Sequence, residues 1–339
     1  MIQDKKRTTA FIAVYFIFFA ALLIIGSFKD FQIEKAVFNP QNSFAEFFEI
    51  WGEAPRFAIW GPAATVLLFT RRSIRECFTV FHRLLPFIPE ISEKQAQTNV
   101  YKFFNFIVNS IEIIGFTVLA VLGWDKLIRN VGKYYVDLSK AVWYIIAAVV
   151  AIIVILIFTK IPKEILYRLE PLALCGILIG IFYCFLGPIK SIANRARFRE
   201  MVAFSNGFEN PRDTNITSAF ISASDFSYYT EWYQKGFGGT LLNGFELEGT
   251  SCPSGHVMSG CFIFLSTLLC NAFEGLKKYK TPVFILCFAY TAALSLTRMI
   301  RGAHFLSDVA LGAIIGMIFF LAAAGVLKIF EKKRILERS

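Results

Sequence analysis

Long apolar runs alternate with shorter polar connections along this chain. A spanning helix needs about 20 mainly apolar residues, because the hydrocarbon core of a bilayer is about 30 Å thick. Seven runs approach this length, and they cover residues 10–28, 103–124, 141–159, 171–189, 257–273, 282–297 and 305–327. An eighth run, 57–70, is shorter and lies between Arg56 and Arg71. The pattern predicts an all-α fold, a polytopic membrane helix bundle with about eight transmembrane helices.

Composition favours the same class of protein. Of the 339 residues, 56% are hydrophobic and 18% are charged, whereas soluble proteins carry about 25% charged residues. Intrinsic disorder is excluded because it needs low hydrophobicity and high charge, and the length and cysteine count exclude a disulfide-stapled secreted module. The first run follows Lys5, Lys6 and Arg7 as in a signal peptide. It is longer than a typical signal core and lacks a clear cleavage site, so we expect a retained anchor.

Lys and Arg residues predict the orientation of the chain. The net charge of +10 would suggest nucleic-acid binding in a soluble protein. In a membrane protein these residues first set the topology, so we expect no nucleic-acid partner. With eight spans, the side that holds both termini carries 20 basic residues and the opposite side 15. The positive-inside rule therefore predicts cytoplasmic termini, and the longest outer connection is 190–256.

Two of the three histidines lie in unusual settings on the outer face, whereas His82, in an inner connection, is expected to have no catalytic role. His256 ends the sequence Pro253-Ser254-Gly255-His256 just before a span. Proline is favoured in the first helical turn, and the free N–H groups of that turn form an anion site. Ser254 adds a hydroxyl, and Gly255 allows a ligand to approach closely. An ordinary helix start with a hydrogen-bonded histidine is the alternative.

His304 and Asp308 are four residues apart at the start of the last span. This spacing predicts that they share one helical face. A carboxylate next to an imidazole fixes its tautomer and leaves the other ring nitrogen free to react. Arg298 and Arg301 lie at the outer end of the preceding span. A structural ion pair between Asp308 and one of these arginines is the alternative interpretation.

A basic cluster follows the span 171–189 and contains Lys190, Arg195, Arg197 and Arg199. By itself it could contact lipid headgroups. The predicted topology brings it to the same face as both histidines, and this set of cations, hydroxyl and imidazoles suits phosphoryl transfer. A metal site is disfavoured, because two histidines and one carboxylate among many cations make a poor ligand set.

These residues resemble the motifs of the type-2 phosphatidic acid phosphatases, a family that shares a core with the vanadium haloperoxidases. The family carries Lys-x6-Arg-Pro, Pro-Ser-Gly-His and Ser-Arg-x5-His-x3-Asp. The chain has Lys190 with Arg197, the complete Pro253–His256, and Thr297-Arg298 with His304 and Asp308. Phe198 replaces the motif proline, which leaves the local loop geometry open, and Thr297 replaces serine. The resemblance covers roughly 171–327.

The resemblance implies a mechanism without a metal or a cofactor. His304 would attack phosphorus and form a phosphohistidine, Asp308 would orient it, and His256 would protonate the leaving alcohol. The phosphoryl oxygens would be held by Lys190, Arg197, Ser254, Gly255 and Arg298. Arg195 and Arg301 are possible further members of this set, or would only add to the positive field.

The expected function is a membrane phosphatase that hydrolyses a lipid phosphate monoester or diphosphate, of the phosphatidic acid, phosphatidylglycerol phosphate or undecaprenyl diphosphate class. Its partners would be the lipid substrate and the bilayer. A lipid phosphotransferase with the same phosphohistidine chemistry and a non-enzymatic anion-binding or lipid-binding membrane protein remain open. A haloperoxidase is a weaker hypothesis, because haloperoxidases of this family are usually soluble proteins.

The predicted organisation has three parts. Residues 1–170 form an N-terminal region of about four spans without a recognised motif. Residues 171–327 form the phosphatase core, whose segment 198–252 caps the site outside the membrane. Residues 328–339 form a basic cytoplasmic tail. The site is expected to face the periplasm or exterior of a cell membrane.

Overall fold

The computed structural model describes residues 2–71, 91–205, 228–239, 241–242 and 245–335. Within these ranges the chain is almost entirely helical, which confirms the all-α prediction. The helices are α1 (Ile2–Val37), α2 (Ser43–Trp51), α3 (Ala54–Thr70), α4 (Glu93–Ala96), α5 (Asn99–Gly132), α6 (Lys140–Phe158), α7 (Lys163–Tyr183), α8 (Leu186–Ala193), α9 (Phe198–Ser205), α10 (Gly255–Gly260), α11 (Leu265–Ala272), α12 (Lys280–Ile300) and α13 (Leu306–Ile335).

Four short elements complete the described part of the chain. Two 3-10 helices, Cys261–Phe264 and Glu274–Tyr279, continue the helices beside them. The strands β1 (Leu241–Leu242) and β2 (Phe245–Glu246) form a small antiparallel ribbon.

Seven helical segments of the described chain are long and apolar enough to cross a membrane, so this is a multi-pass membrane protein. They run over Arg7–Val37, Asn99–Gly132, Lys140–Phe158, Lys163–Ala193, Gly255–Ala272, Glu274–Ile300 and Leu306–Lys328. Each coincides with a predicted span. The eighth prediction falls on α3, whose 17 residues extend about 25 Å at 1.5 Å per residue, slightly less than the bilayer core.

Polar residues at helix starts explain several boundaries. Thr98 and Ser139 accept hydrogen bonds from the first turns of α5 and α6, and Asn42 does the same for α2. Such caps satisfy backbone N–H groups that have no partner within the helix. After its first residue, Lys140, α6 is an unbroken apolar sequence. It exposes large side chains such as Ile145 and Ile152, as expected of a helix surrounded by lipid.

The chain forms two compact units. The first combines Met1–Arg56 with Ile179–Ala322, and the second combines Phe57–Leu178 with Ala323–Ser339. In the second unit, α3 and α5 meet at small residues, since a Cβ added to Gly61 would lie 2.7 Å from the indole nitrogen of Trp124. The predicted boundary at residue 170 follows the motif content and stays a prediction.

The first unit contains all the motif residues. In it α13 packs closely on α10, because a Cβ added to Gly312 would lie 2.6 Å from the carbonyl oxygen of Ser254. Likewise, a Cβ added to Gly316 would lie 2.7 Å from Cys261 Sγ. These glycines therefore hold the starts of two spans side by side, and each start carries one motif.

Candidate active site

His304 lies in the turn between α12 and α13. The helix α12 ends at Ile300 and α13 begins at Leu306, and Gly302 breaks the helix with a φ of +61°, which glycine adopts at little cost. The prediction that His304 and Asp308 share a helical face is therefore wrong, because His304 precedes the helix. The turn buries His304, which is 2% exposed.

The ring of His304 is oriented by a backbone carbonyl. Its Nδ1 lies 2.6 Å from the oxygen of Ser251. Since a carbonyl oxygen only accepts, Nδ1 carries the proton and Nε2 keeps its lone pair. The sequence predicted the carboxylate of Asp308 as the orienting partner, and the structure places Ser251 there instead.

Asp308 acts on the His304 ring through Ser251. Its Oδ2 accepts a hydrogen bond of 2.5 Å from Ser251 Oγ and one of 3.0 Å from the N–H of Phe305. Its Oδ1 accepts 2.7 Å from Arg195. The carboxylate thus fixes both the residue that holds the His304 ring and the start of α13, where a negative group is favourable.

The Pro-Ser-Gly-His motif begins α10. Ser254 is the N-cap, whose Oγ accepts from the N–H of Val257 at 3.4 Å. Pro253 therefore precedes the cap, and the prediction of proline in the first turn is wrong. Gly255 is required by packing, because an added Cβ would lie 2.9 Å from Leu186 and 3.0 Å from Tyr183 Oη.

His256 is placed differently from His304. It is partly exposed, and among the described residues its ring has no hydrogen-bond partner. An imidazole in this position can exchange protons with a ligand, which suits the acid role that the resemblance implies.

Lys190 and Arg197 meet at Thr250. Lys190, on α8, donates to the Thr250 carbonyl, and Arg197 donates 2.7 Å to its Oγ1. The segment before Ser251 lies along the first motif, since the N–H of Ser251 donates 2.9 Å to the carbonyl of Arg195. This pairing brings the first motif beside His304.

Two carboxylates already neutralise Arg197. Its guanidinium donates 2.6 Å to Glu248, and it lies 3.3 Å from Glu200. Glu200 is buried, whereas the side chain of Glu248 is 57% exposed. Arg197 is thus paired with one buried and one exposed carboxylate.

Three arginines surround Glu49 of α2. Arg301 donates 2.6 Å to Glu49 and also donates to the carbonyl of Pro40. Arg199 lies 3.3 Å and Arg298 3.9 Å from the same carboxylate. Burial alone would raise the pKa of Glu49, but Arg298, Arg199 and Arg301 outweigh it and lower the pKa to about 2. Arg301 therefore has a structural role, whereas Glu49 positions Arg298.

Arg195 lies behind the site rather than in it. It is 1% exposed, and it bonds to Asp308, to Ser307 Oγ at 2.9 Å and to Asp30 of α1 at 3.0 Å. Its guanidinium also lies over the Phe305 ring at 4.0 Å. These contacts leave it no access to a ligand and make it a structural link between α1 and α13.

Phe198, which replaces the motif proline, is fully buried. It starts α9, a position that proline also favours, and its ring packs on Phe31 and Phe38 of the first unit and on Phe305. The open question about loop geometry thus has a physical answer. The helix start is kept, and an aromatic contact supports the residue next to His304.

Residues of all three motifs affect the pKa of His304. Burial lowers the pKa of His304 well below its ordinary value, and the charges of Lys190, Arg298 and Arg197 lower it further, followed by that of His256. The imidazole is therefore neutral near neutral pH and its Nε2 is available as a nucleophile.

Other groups fit the site less well as reactive centres. Burial raises the pKa of the Cys252 thiol, so the thiol stays protonated and fills space beside Pro253. No group of three or more His, Cys, Asp and Glu side chains able to hold a metal ion occurs among the described residues. His82 lies outside those residues, as does most of the first half of the predicted cap.

Sequence reasoning missed four residues that build this site: Asp30, Glu49, Thr250 and Ser251. Asp30 and Glu49 carry charges that are unusual for buried positions near spans, which is a usable signal. Thr250 and Ser251 act mainly through the backbone, and nothing in their type indicates it.

One comparison with known proteins covers the part of the chain that carries the three motifs. No curated protein and no solved structure matches the chain. Residues 171–332 match the model of the PAP2 superfamily, and this stretch contains the three motifs with their lysine, arginines, histidines and aspartate. The resemblance found in the sequence is confirmed, and residues 171–332 of this membrane protein belong to the PAP2 superfamily, which also contains the haloperoxidases.

Proposed function

We propose that this protein hydrolyses a lipid phosphate monoester or diphosphate through a phosphohistidine on His304, without a metal. The proposal rests chiefly on one observation. The Nδ1 of His304 is 2.6 Å from the carbonyl oxygen of Ser251, so the lone pair belongs to Nε2. A neutral, oriented imidazole among cations is the nucleophile that phosphoryl transfer needs.

The proposed reaction has two steps. His304 Nε2 attacks phosphorus, the P–O bond to the lipid breaks, and the leaving oxygen takes a proton from His256. Water then attacks the phosphohistidine and gives its proton back to His256, and the P–N bond breaks to release phosphate. Lys190, Arg197 and Arg298 would offset the charge on the phosphoryl oxygens in both steps.

A lipid substrate fits the surroundings of Lys190. The helix α8 carries this lysine and exposes Ile192, which is 76% exposed, while Phe185 at its start is 59% exposed. A headgroup held by Lys190 would leave its acyl chains beside these apolar side chains. Soluble phosphate esters would gain nothing from such a surface.

The test uses the three histidines as a matched set. Wild type, His304→Ala, His256→Ala and His82→Ala would be purified in detergent and assayed with EDTA on phosphatidic acid and on p-nitrophenyl phosphate. The second substrate has a leaving group that needs no acid. We expect His304→Ala to lose both activities, His256→Ala to keep a single burst of p-nitrophenolate, and His82→Ala to resemble wild type.

Several results would contradict the proposal. Phosphate release that needs a divalent metal would overturn the metal-free mechanism, and a fully active His304→Ala variant would overturn the nucleophile. Transfer of the phosphoryl group to an added alcohol in preference to water would favour a phosphotransferase. No reaction by a folded wild-type protein would favour anion binding without catalysis.

We also propose that α3 is the eighth span and that both termini are cytoplasmic. The end of α1 and the start of α8 both reach the site, and α5, α6 and α7 lie between them in the chain. Three crossings would leave α8 on the wrong side, so a fourth is needed, and α3 supplies it. Reporter fusions after residues 41 and 98, which lie on either side of α3, should report opposite sides of the membrane, and identical sides would contradict this topology.

A further inference from the structure

Asp30 of α1 lies at the start of α13, far from any motif in sequence. It is 1% exposed. Its Oδ1 accepts a hydrogen bond of 2.9 Å from the N–H of Ser307, and its Oδ2 accepts from the hydroxyl of Ser307 and from Arg195 at 3.0 Å. These three hydrogen bonds on two oxygens satisfy the buried carboxylate within the protein.

The contacts continue from Asp30 to the ring of His304. Arg195 bridges Asp30 and Asp308, since it bonds to the Oδ1 of Asp308 at 2.7 Å. Asp308 accepts 2.5 Å from the hydroxyl of Ser251, and the carbonyl of Ser251 accepts 2.6 Å from His304 Nδ1. Each member of this chain is at most 2% exposed, so no water substitutes for a lost contact.

This series of contacts contains three charged side chains, those of Asp30, Arg195 and Asp308. Arg195 between Asp30 and Asp308 is a buried triad, in which one guanidinium is shared by two carboxylates. Without Asp30, Arg195 would turn more fully toward Asp308 and compete with Ser251 for that carboxylate. The Ser251 carbonyl, and with it the His304 ring, would then lose its fixed position.

We propose that Asp30 is a positioning residue for the nucleophile, acting through Arg195, Asp308 and Ser251 to hold His304 with its proton on Nδ1. The proposal rests on the proposed function only in its kinetic consequence. It assigns the first helix, outside the region that matches the PAP2 superfamily, a direct part in the geometry of the site.

The variant Asp30→Asn keeps the shape of the side chain and removes its charge. Glu34→Gln is the matched control, since Glu34 lies one turn further on the same helix and is 0% exposed. Neither carboxylate oxygen of Glu34 has a hydrogen-bond partner among the described residues. We expect Asp30→Asn to lower kcat by about 10-fold to 100-fold, because misplacement of a reacting group by about 1 Å costs that much. KM should stay within about threefold, and Glu34→Gln should keep its kcat within about twofold.

A spectroscopic readout separates positioning from folding and from activity. The chain has three histidines, so ¹⁵N-histidine labelling gives a simple spectrum, assigned with His304→Ala and His82→Ala. Wild type and Glu34→Gln should show His304 protonated at Nδ1 only, and Asp30→Asn should show a mixture of tautomers. This result stands whether or not the protein proves to be a phosphatase.

Three outcomes would overturn the inference. They are wild-type kcat together with a single His304 tautomer in Asp30→Asn, a lowered kcat with an unchanged tautomer, and an equal loss in Glu34→Gln. If wild type itself releases no phosphate but the tautomers change as expected, the proposed function fails and the positioning role of Asp30 holds.

Discussion

Replacement of Glu49 by Gln tests how the arginines of the site are held. Glu49 is 6% exposed and contacts Arg199, Arg298 and Arg301. The glutamine keeps the size and one carbonyl oxygen but removes the negative charge. The three arginines then lose the negative charge of Glu49 in a buried region.

The magnitude follows from the pKa of Glu49, which falls from 4.5 to about 2. At about 1.4 kcal/mol per pKa unit, this corresponds to roughly 3 kcal/mol in favour of the folded state near neutral pH. Because the pKa is lowered on folding, the stabilisation is present above about 4.5 and is lost as pH falls from about 4.5 toward 2. Glu49→Gln lacks this contribution at every pH.

Thermal and denaturant unfolding in detergent at several pH values measures both effects. At pH 7 we expect Glu49→Gln to unfold at a temperature lower by about 5 °C or more, and wild type should approach the variant as the pH falls below about 4. Glu46→Gln is the control, because Glu46 lies on the same helix but is exposed. A Glu49→Gln variant within about 1 kcal/mol of wild type, or an equally damaged Glu46→Gln, would refute the reasoning.

Three further predictions concern the site itself. Glu248→Gln should lower KM a few-fold with kcat unchanged, because it frees Arg197 for the phosphate, and a higher KM in steady-state assays would count against this. Phe198→Pro, which restores the family motif, should destabilise the protein by about 3–5 kcal/mol, as loss of a buried aromatic ring does. A stabilised variant in unfolding assays would show that the packing argument is wrong. Burial and neighbouring cations lower the pKa of His304. The rate of phosphoenzyme formation in rapid-quench assays should therefore stay level as pH falls through about 6.5, the ordinary pKa of histidine. A midpoint at that pH would be inconsistent with the lowered pKa.

The sequence was sufficient for the spans and for the motif residues. Long apolar runs mark the helices because their length is set by the bilayer, and seven predictions coincide with helical segments long and apolar enough to cross a membrane. The motifs identified His256, His304 and Asp308 as candidates from residue type and spacing alone. What spacing could not supply was the turn at Gly302, which removes His304 from the helix that carries Asp308.

The remaining parts of the site depend on contacts between distant residues. Arg195 and Arg197 are two residues apart and chemically alike, yet one is buried against α1 and the other reaches Thr250. Only the positions of Asp30 and Glu248 distinguish them, and no local pattern predicts those positions. Sequence reasoning could therefore name the cations but could not predict which of them the fold buries.

The contact between Asp30 and Ser307 spans 277 residues of chain, and this has a consequence for biosynthesis. The first helix enters the membrane with its carboxylate while the serine that will bind it has yet to be translated. A carboxylate left near lipid is costly, so every unfinished or truncated chain displays an exposed acidic group at the membrane boundary. Only when the last helix is in place can Ser307 donate to that carboxylate, so the burial of Asp30 depends on nearly the whole chain having been made.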